Sequence, residues 1–167
     1  MADPALKTDR AGQPAGPQED VSTVDAIVKA LYESVSFSPG RQPDYSRLRS
    51  LFHPEARIIP PKADKNTPTV LLDLESFLKR SWESVVTTGL ERKGFSEREI
   101  ARRVEAYGNI AHVFSTYESR NVPQDPVPVQ RGINSLQIIR DSNRWWITSI
   151  LWDLERPTNP IPKRYMV

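Results

Sequence analysis

Apolar residues at Val24, Ile27, Val28, Leu31 and Val35 recur at helical spacing. That spacing predicts an amphipathic helix over residues 23 to 36. Ser22 precedes it as a capping residue, with Asp25 three positions on in a capping-box variant. Tyr32 lies at the edge of the apolar stripe. "SPGRQP" breaks the helix. Asp44 then caps a shorter one, "YSRLRSLF", whose Leu48, Leu51 and Phe52 face inward. "HPEARII" reads as a turn and a short strand stopped by Pro60 and Pro61. A polar loop leads to a third helix from about Asp73. Its inner side carries Phe77, Leu78, Ser81, Trp82, Val85 and Val86, and Gly89 is its stop.

From Glu97 onward the pattern becomes that of strands. "REIARRVEAYGNIAHVFSTYES" predicts a hairpin turning at Gly108-Asn109. After a Pro-rich loop, "QRGINSLQIIR" turns through Asp141 to Arg144 into "NRWWITSILWDLE". The expected fold class is α+β: three helices and a short strand, then four long antiparallel strands with the helices on one side of the sheet.

Residues directly opposite in a hairpin share a face. With Gly108-Asn109 as the turn, Ile100, Arg102, Val104, Ala106, Ala111, Val113, Ser115 and Tyr117 face the helices. With Ser142-Asn143 as the second turn, Asn134, Ser149 and Asp153 join them. The far face then carries Phe114, Ile133, Trp146, Ile150 and Trp152. So apolar a face has to be covered. A second copy in an isologous homodimer, pairing through the convex face, is the favoured cover. The alternative is that the N-terminal tail or the C-terminal "RPTNPIPKRYMV" folds over it.

The length of 167 residues suits one domain. Its expected bounds are 22–156, between a disordered tail at 1–21 and a Pro-rich tail at 157–167. The net charge of +2 is too small to make nucleic acid the main partner. Cysteine is absent, which removes thiolate catalysis and thiolate metal sites and suits a reducing, cytoplasmic setting. No apolar run approaches the roughly 20 residues of a membrane helix, so no membrane partner is expected. No phosphate, nucleotide or metal motif stands out, and no cofactor is expected.

The order of elements, with "DYSRLRSLFHPEARI", the small residue in "GNIAHV" and the closing "DSNRWWITSILWD", resembles the nuclear transport factor 2-like (cystatin-like) superfamily. Its SnoaL-like branch is the nearest in appearance, over residues 22 to 156. The resemblance implies a curved antiparallel sheet wrapped round the N-terminal helices as a cone with an inner cavity. It also implies pairing through the convex face, and either small-molecule chemistry or plain binding. One fold hosts unrelated functions, so the site must carry the argument.

By parity, Asp153 is the candidate acid or base in a cavity for a small, mostly apolar molecule. Tyr32, Trp82, Arg102, Ser115, Tyr117, Asn134 and Ser149 are the candidate pocket residues. Phe114, Ile133, Trp146, Ile150 and Trp152 are the candidate dimer contacts. The plainer readings are an Asp153 paired with an arginine at the strand end, an Arg102 in a salt bridge, and aromatic residues that only fill core. His53 is read as interacting with a helix C-terminus, and His112 as the outer-face partner of Glu105. The ketosteroid isomerases of this superfamily carry a base just after the first strand, where this sequence has "RIIPPK" and no acid. That disfavours their mechanism and leaves cofactor-free isomerase, dehydratase or cyclase chemistry through Asp153. The alternative is a non-catalytic interaction or binding module.

Overall fold

Thr23, rather than Ser22, caps the first helix: its hydroxyl accepts the Ala26 N–H at 3.0 Å. The computed structural model describes residues 16–167. Most of the expected N-terminal tail therefore lies outside the described residues. Gln18–Val21, however, form a 3-10 turn. Val21 is buried, and Asp20 receives two hydrogen bonds from the Arg47 guanidinium at 2.7 and 2.8 Å. Ordered packing thus begins before residue 22, because Val21 has a core to enter.

Helix α1 (Val24–Val35) buries Ile27, Val28, Leu31 and Tyr32. Each such apolar side chain contributes about 1.5–3 kcal/mol. Helix α2 (Tyr45–Leu51) is capped by Asp44, whose carboxylate accepts the Arg47 N–H at 2.9 Å. It runs directly into strand β1 (Phe52–Ile59). Helix α3 (Leu74–Thr87) is capped by Asp73 and followed by a short α4 (Leu90–Lys93). The long strands are β2 (Ser96–Tyr107), β3 (Ile110–Arg120), β4 (Gln130–Asp141) and β5 (Arg144–Leu154). They form one sheet in the order β1-β5-β4-β3-β2, with β1 parallel to β5 and the other pairs antiparallel. Among the described residues no helix is long and apolar enough to cross a membrane.

Both predicted turns are present, with Tyr107 opposite Ile110 and Asp141 opposite Arg144. Each hairpin then contains a bulge that reverses side-chain parity further along. In β2 the register shifts between Glu99 and Ala101, so Glu99, not Ile100, stands opposite Tyr117. In the second hairpin Ile138 still opposes Ile147, but Gln137 opposes Ser149, and Asn134 opposes Trp152 instead of Leu151. The extra residue is Thr148. Beyond it Ile150, Trp152 and Leu154 turn inward, while Leu151 and Asp153 turn outward.

The expected dimer face is rewritten by that bulge. Ile150 is 7% exposed within the core, and Trp152 packs edge-on against Phe77 at 6.1 Å between ring centroids. Trp146 does lie on the outer side, but the Arg144 guanidinium sits 3.4 Å above its ring and His53 meets it edge-on. His53 itself belongs to β1, where its Nδ1 accepts the Glu55 N–H at 3.1 Å. Phe114 and Ile133 remain on the outer face, where the C-terminal segment crosses them. Tyr165 packs on Phe114 at 4.9 Å, and its carbonyl accepts the Thr116 hydroxyl at 2.5 Å. The Arg103 guanidinium donates to the Arg164 carbonyl at 2.8 and 3.0 Å. Residues 157–167 are thus a strap over the sheet, the alternative cover that the sequence left open. His112 stands opposite Glu105 as expected, and its Nε2 is 3.1 Å from the Ser135 hydroxyl.

Candidate functional site

Between the helices and the concave side of the sheet lies a cavity of about 370 Å³. That is within the range of small-molecule sites. Its walls are mostly apolar: Leu31 and Val35 from α1, Phe77 and Val85 from α3, Ile150, Trp152 and Leu154 from β5. The inward set on β5 exists only because of the bulge at Thr148.

The acid in this cavity is Glu97, which the sequence reading did not select. Ser36, just past the end of α1, fixes the start of β2. Its hydroxyl accepts the Glu97 N–H at 3.0 Å and donates to the Tyr32 carbonyl at 2.7 Å, with the Glu97 carbonyl also 3.2 Å away. The mutual backbone hydrogen bonds of Phe37 and Phe95, at 2.7 and 2.9 Å, hold the same junction. Glu97 pairs with Ser119 across the strands, and both line the cavity. Burial pushes its carboxyl up from an ordinary 4.5 to about 8. Among the described residues no cation counters that effect, so at neutral pH the group is mainly the neutral acid.

Tyr117 and Asn134 line the cavity as expected. Gly132 lets Tyr117 lie where it does: a Cβ there would stand 2.6 Å from the Tyr117 hydroxyl and 2.6 Å from the Asp153 carbonyl. Behind them Tyr32 and Ser115 are buried and bonded to each other at 2.7 Å, and the Asn134 amide donates to the Tyr32 hydroxyl at 3.1 Å. The Ser115 hydroxyl donates in turn to Glu99, and Glu99 receives the Arg102 guanidinium at 2.6–3.0 Å. Arg102 also reaches Asp25, at 2.5 Å. Burial pushes both the Tyr32 and the Tyr117 phenols up, so neither is a ready proton donor. Tyr32, Ser115, Asn134 and Arg102 therefore form one hydrogen-bonded chain, with Asn134 meeting the cavity and Arg102 anchoring the outer end.

Three expected site residues are elsewhere. Asp153 is on the outer face with its side chain 55% exposed, and two hydrogen bonds from Arg156, at 2.8 and 3.1 Å, hold its carboxyl below the usual range. It is the arginine-paired aspartate of the plainer reading. Ser149 faces outward beside Gln137 for the same reason of parity. Trp82 is 38% exposed on α3 and lines no part of the cavity; Val86 on that helix is exposed as well. The cavity side of α3 is instead the row Phe77, Arg80, Ser81 and Ser84.

These features define the class: a nuclear transport factor 2-like, cystatin-like α+β fold, a curved sheet closed over helices with a cavity between them. Solved structures with this fold include an NTF2-like protein with a cystatin-like fold from Novosphingobium aromaticivorans. It has a TM-score of 0.56 and 13% identity over 80% of each chain. An NTF-2 like protein of unknown function from Silicibacter pomeroyi matches with a TM-score of 0.54 and 14% identity, over 79% of this chain and 92% of that one. The yeast UBP3-associated protein BRE5 matches with a TM-score of 0.53 and 14% identity, over 78% and 92%. No family model matches the sequence, and no curated protein matches it. At these identities the likeness shows the fold alone.

Proposed function

We propose that this chain, a SnoaL-like variant of the fold, binds a small, mostly apolar molecule in its cavity, and that Glu97 exchanges a proton with that molecule. The observation that carries this reading is a carboxyl facing an apolar cavity, with no hydrogen-bond or ion-pair partner among the described residues and an affinity for protons raised into the neutral range. A group poised near working pH both gives and takes a proton readily. As an acid, Glu97 donates to a carbonyl or departing hydroxyl; the resulting carboxylate recovers a proton from an adjacent carbon or from water. Tyr117 and Asn134 offer hydrogen bonds to the same oxygen. The chemistry needs no cofactor and belongs to the isomerase, dehydratase or cyclase type.

Native mass spectrometry of gently purified protein, followed by turnover assays on the identified ligand, tests this. We expect a retained small-molecule mass, loss of turnover in Glu97→Gln and unchanged turnover in Asp153→Asn. Full turnover in Glu97→Gln would remove the proton-transfer role.

The outer face supports a second contact of reduced extent. Tyr107, Ile110 and Ile139 are 85%, 58% and 37% exposed and stand directly opposite one another beyond the strap. We read this stripe as the contact for a second copy, and a single monomer boundary in sedimentation velocity at high concentration would exclude it.

A further inference from the structure

A cavity-facing helix row normally repeats apolar residues at i, i+3, i+4 and i+7. On α3 that row begins with Phe77 and continues with Arg80, Ser81 and Ser84, all three lining the cavity. Ser81 is engaged, its hydroxyl 3.3 Å from that of Tyr45. Arg80 and Ser84 are not: among the described residues no carboxylate lies within ion-pair distance of Arg80, and no hydrogen bond involves the Ser84 hydroxyl. They are one helical turn apart, so a guanidinium and a hydroxyl border the same edge of the cavity. Most other arginines on the surface of this fold have carboxylate or carbonyl partners, as Arg47, Arg98, Arg102, Arg103 and Arg156 do. Lys79, next in the chain, is exposed and does not line the cavity.

We propose that Arg80 and Ser84 form a carboxylate-recognition site on the helix wall, so that the preferred ligand is a small apolar molecule ending in a carboxylate. The inference rests on the cavity-binding reading above and specifies its ligand class. Arginine suits a carboxylate because its fork donates two parallel hydrogen bonds, and the Ser84 hydroxyl adds a third donor. The apolar body then lies against Phe77, Val85 and Trp152, and its remaining polar group reaches the sheet wall at Glu97. Glu97 does not compete for Arg80, since no ion pair joins them.

Isothermal titration with naphthalene-1-acetate and the nearly isosteric, uncharged naphthalene-1-acetamide tests the assignment, at low salt and neutral pH. The expected result is that the carboxylate binds about tenfold tighter than the amide, as a charge-assisted bidentate contact provides. Arg80→Gln should remove that preference by weakening the carboxylate far more than the amide, and Lys79→Gln should leave both unchanged. Arg80 is exposed, so the variant is expected to fold; matching thermal melts verify it. Equal binding of the two compounds to the wild-type protein, or a preference that survives Arg80→Gln, overturns the carboxylate site and leaves the cavity reading standing. Binding of neither compound overturns both.

Discussion

Two glutamates on neighbouring positions of the β2–β3 pair show what each side of this sheet does to a charge. Glu97 stands opposite Ser119, and Glu118 opposite Arg98. Glu118 is 4% exposed, yet the Arg98 guanidinium donates to it at 2.7 and 2.9 Å, Arg120 also bonds to it, and Arg131 lies 3.6 Å away. Burial alone would raise its pKa; the hydrogen bonds from Arg120 and Arg98 outweigh it and hold the carboxyl below the usual range. Glu97 meets burial with no cation paired to it among the described residues and is pushed up to about 8. The same side chain is thus a fixed anion in one place and a titrating acid in the other. Partners decide which, more than depth does.

The largest expected effect comes from breaking the compensated site. Glu118→Ala removes the carboxylate shared by Arg98, Arg120 and Arg131 and should cost about 2–4 kcal/mol in urea unfolding at neutral pH. Because the Glu118 pKa is lowered on folding, its contribution is present above the unfolded value and is lost as pH falls through the folded one. Glu97 has the opposite sign. The folded state holds its proton between pH 4.5 and about 8, so stability declines as pH rises across that window and levels off above it. Glu97→Gln should flatten this decline and stabilise the protein by up to about 4 kcal/mol at pH near 8. A parallel pH profile in the variant would contradict the account. Tyr32→Phe removes the bonds to Ser115 and Asn134 and should cost about 1–2 kcal/mol, read from the shift in denaturation midpoint at constant slope. The smallest effect belongs to Asp153→Asn, an exposed pair with Arg156, which should change stability by at most about 1 kcal/mol.

The three main helices, the Asp44 cap and both hairpin turns were legible in the sequence, because each rests on local chemistry. The face assignments failed where counting from a turn passed a bulge. At Thr148 the signal was present. The apolar residues Trp145 and Ile147, then Ile150, Trp152 and Leu154, keep one face only if a residue is skipped after Ile147. That skip also takes Ile150 and Trp152 out of the apolar far face that counting from the turn had assembled. Around Ile100 the flanking residues Glu99 and Ala101 give no such contrast, so nothing local marked Glu97 and Glu99 as inward. Arg80 and Ser84 were missed for another reason. The helical stripe was read from its apolar members, and polar members of a stripe stand out only once a cavity is known beside them.

Trp152 gives the cavity an optical readout of its own. Trp82 stands at the surface, while Trp145 and Trp146 are buried, the latter beneath a guanidinium; of the four tryptophans, Trp152 is the one that lines the cavity. A molecule that displaces water there changes the polarity round one indole and leaves the other three unchanged. The emission spectrum of the unlabelled protein should therefore register occupancy directly. Trp152→Phe is its matched blank, and ligands can be screened by light before any reaction is known.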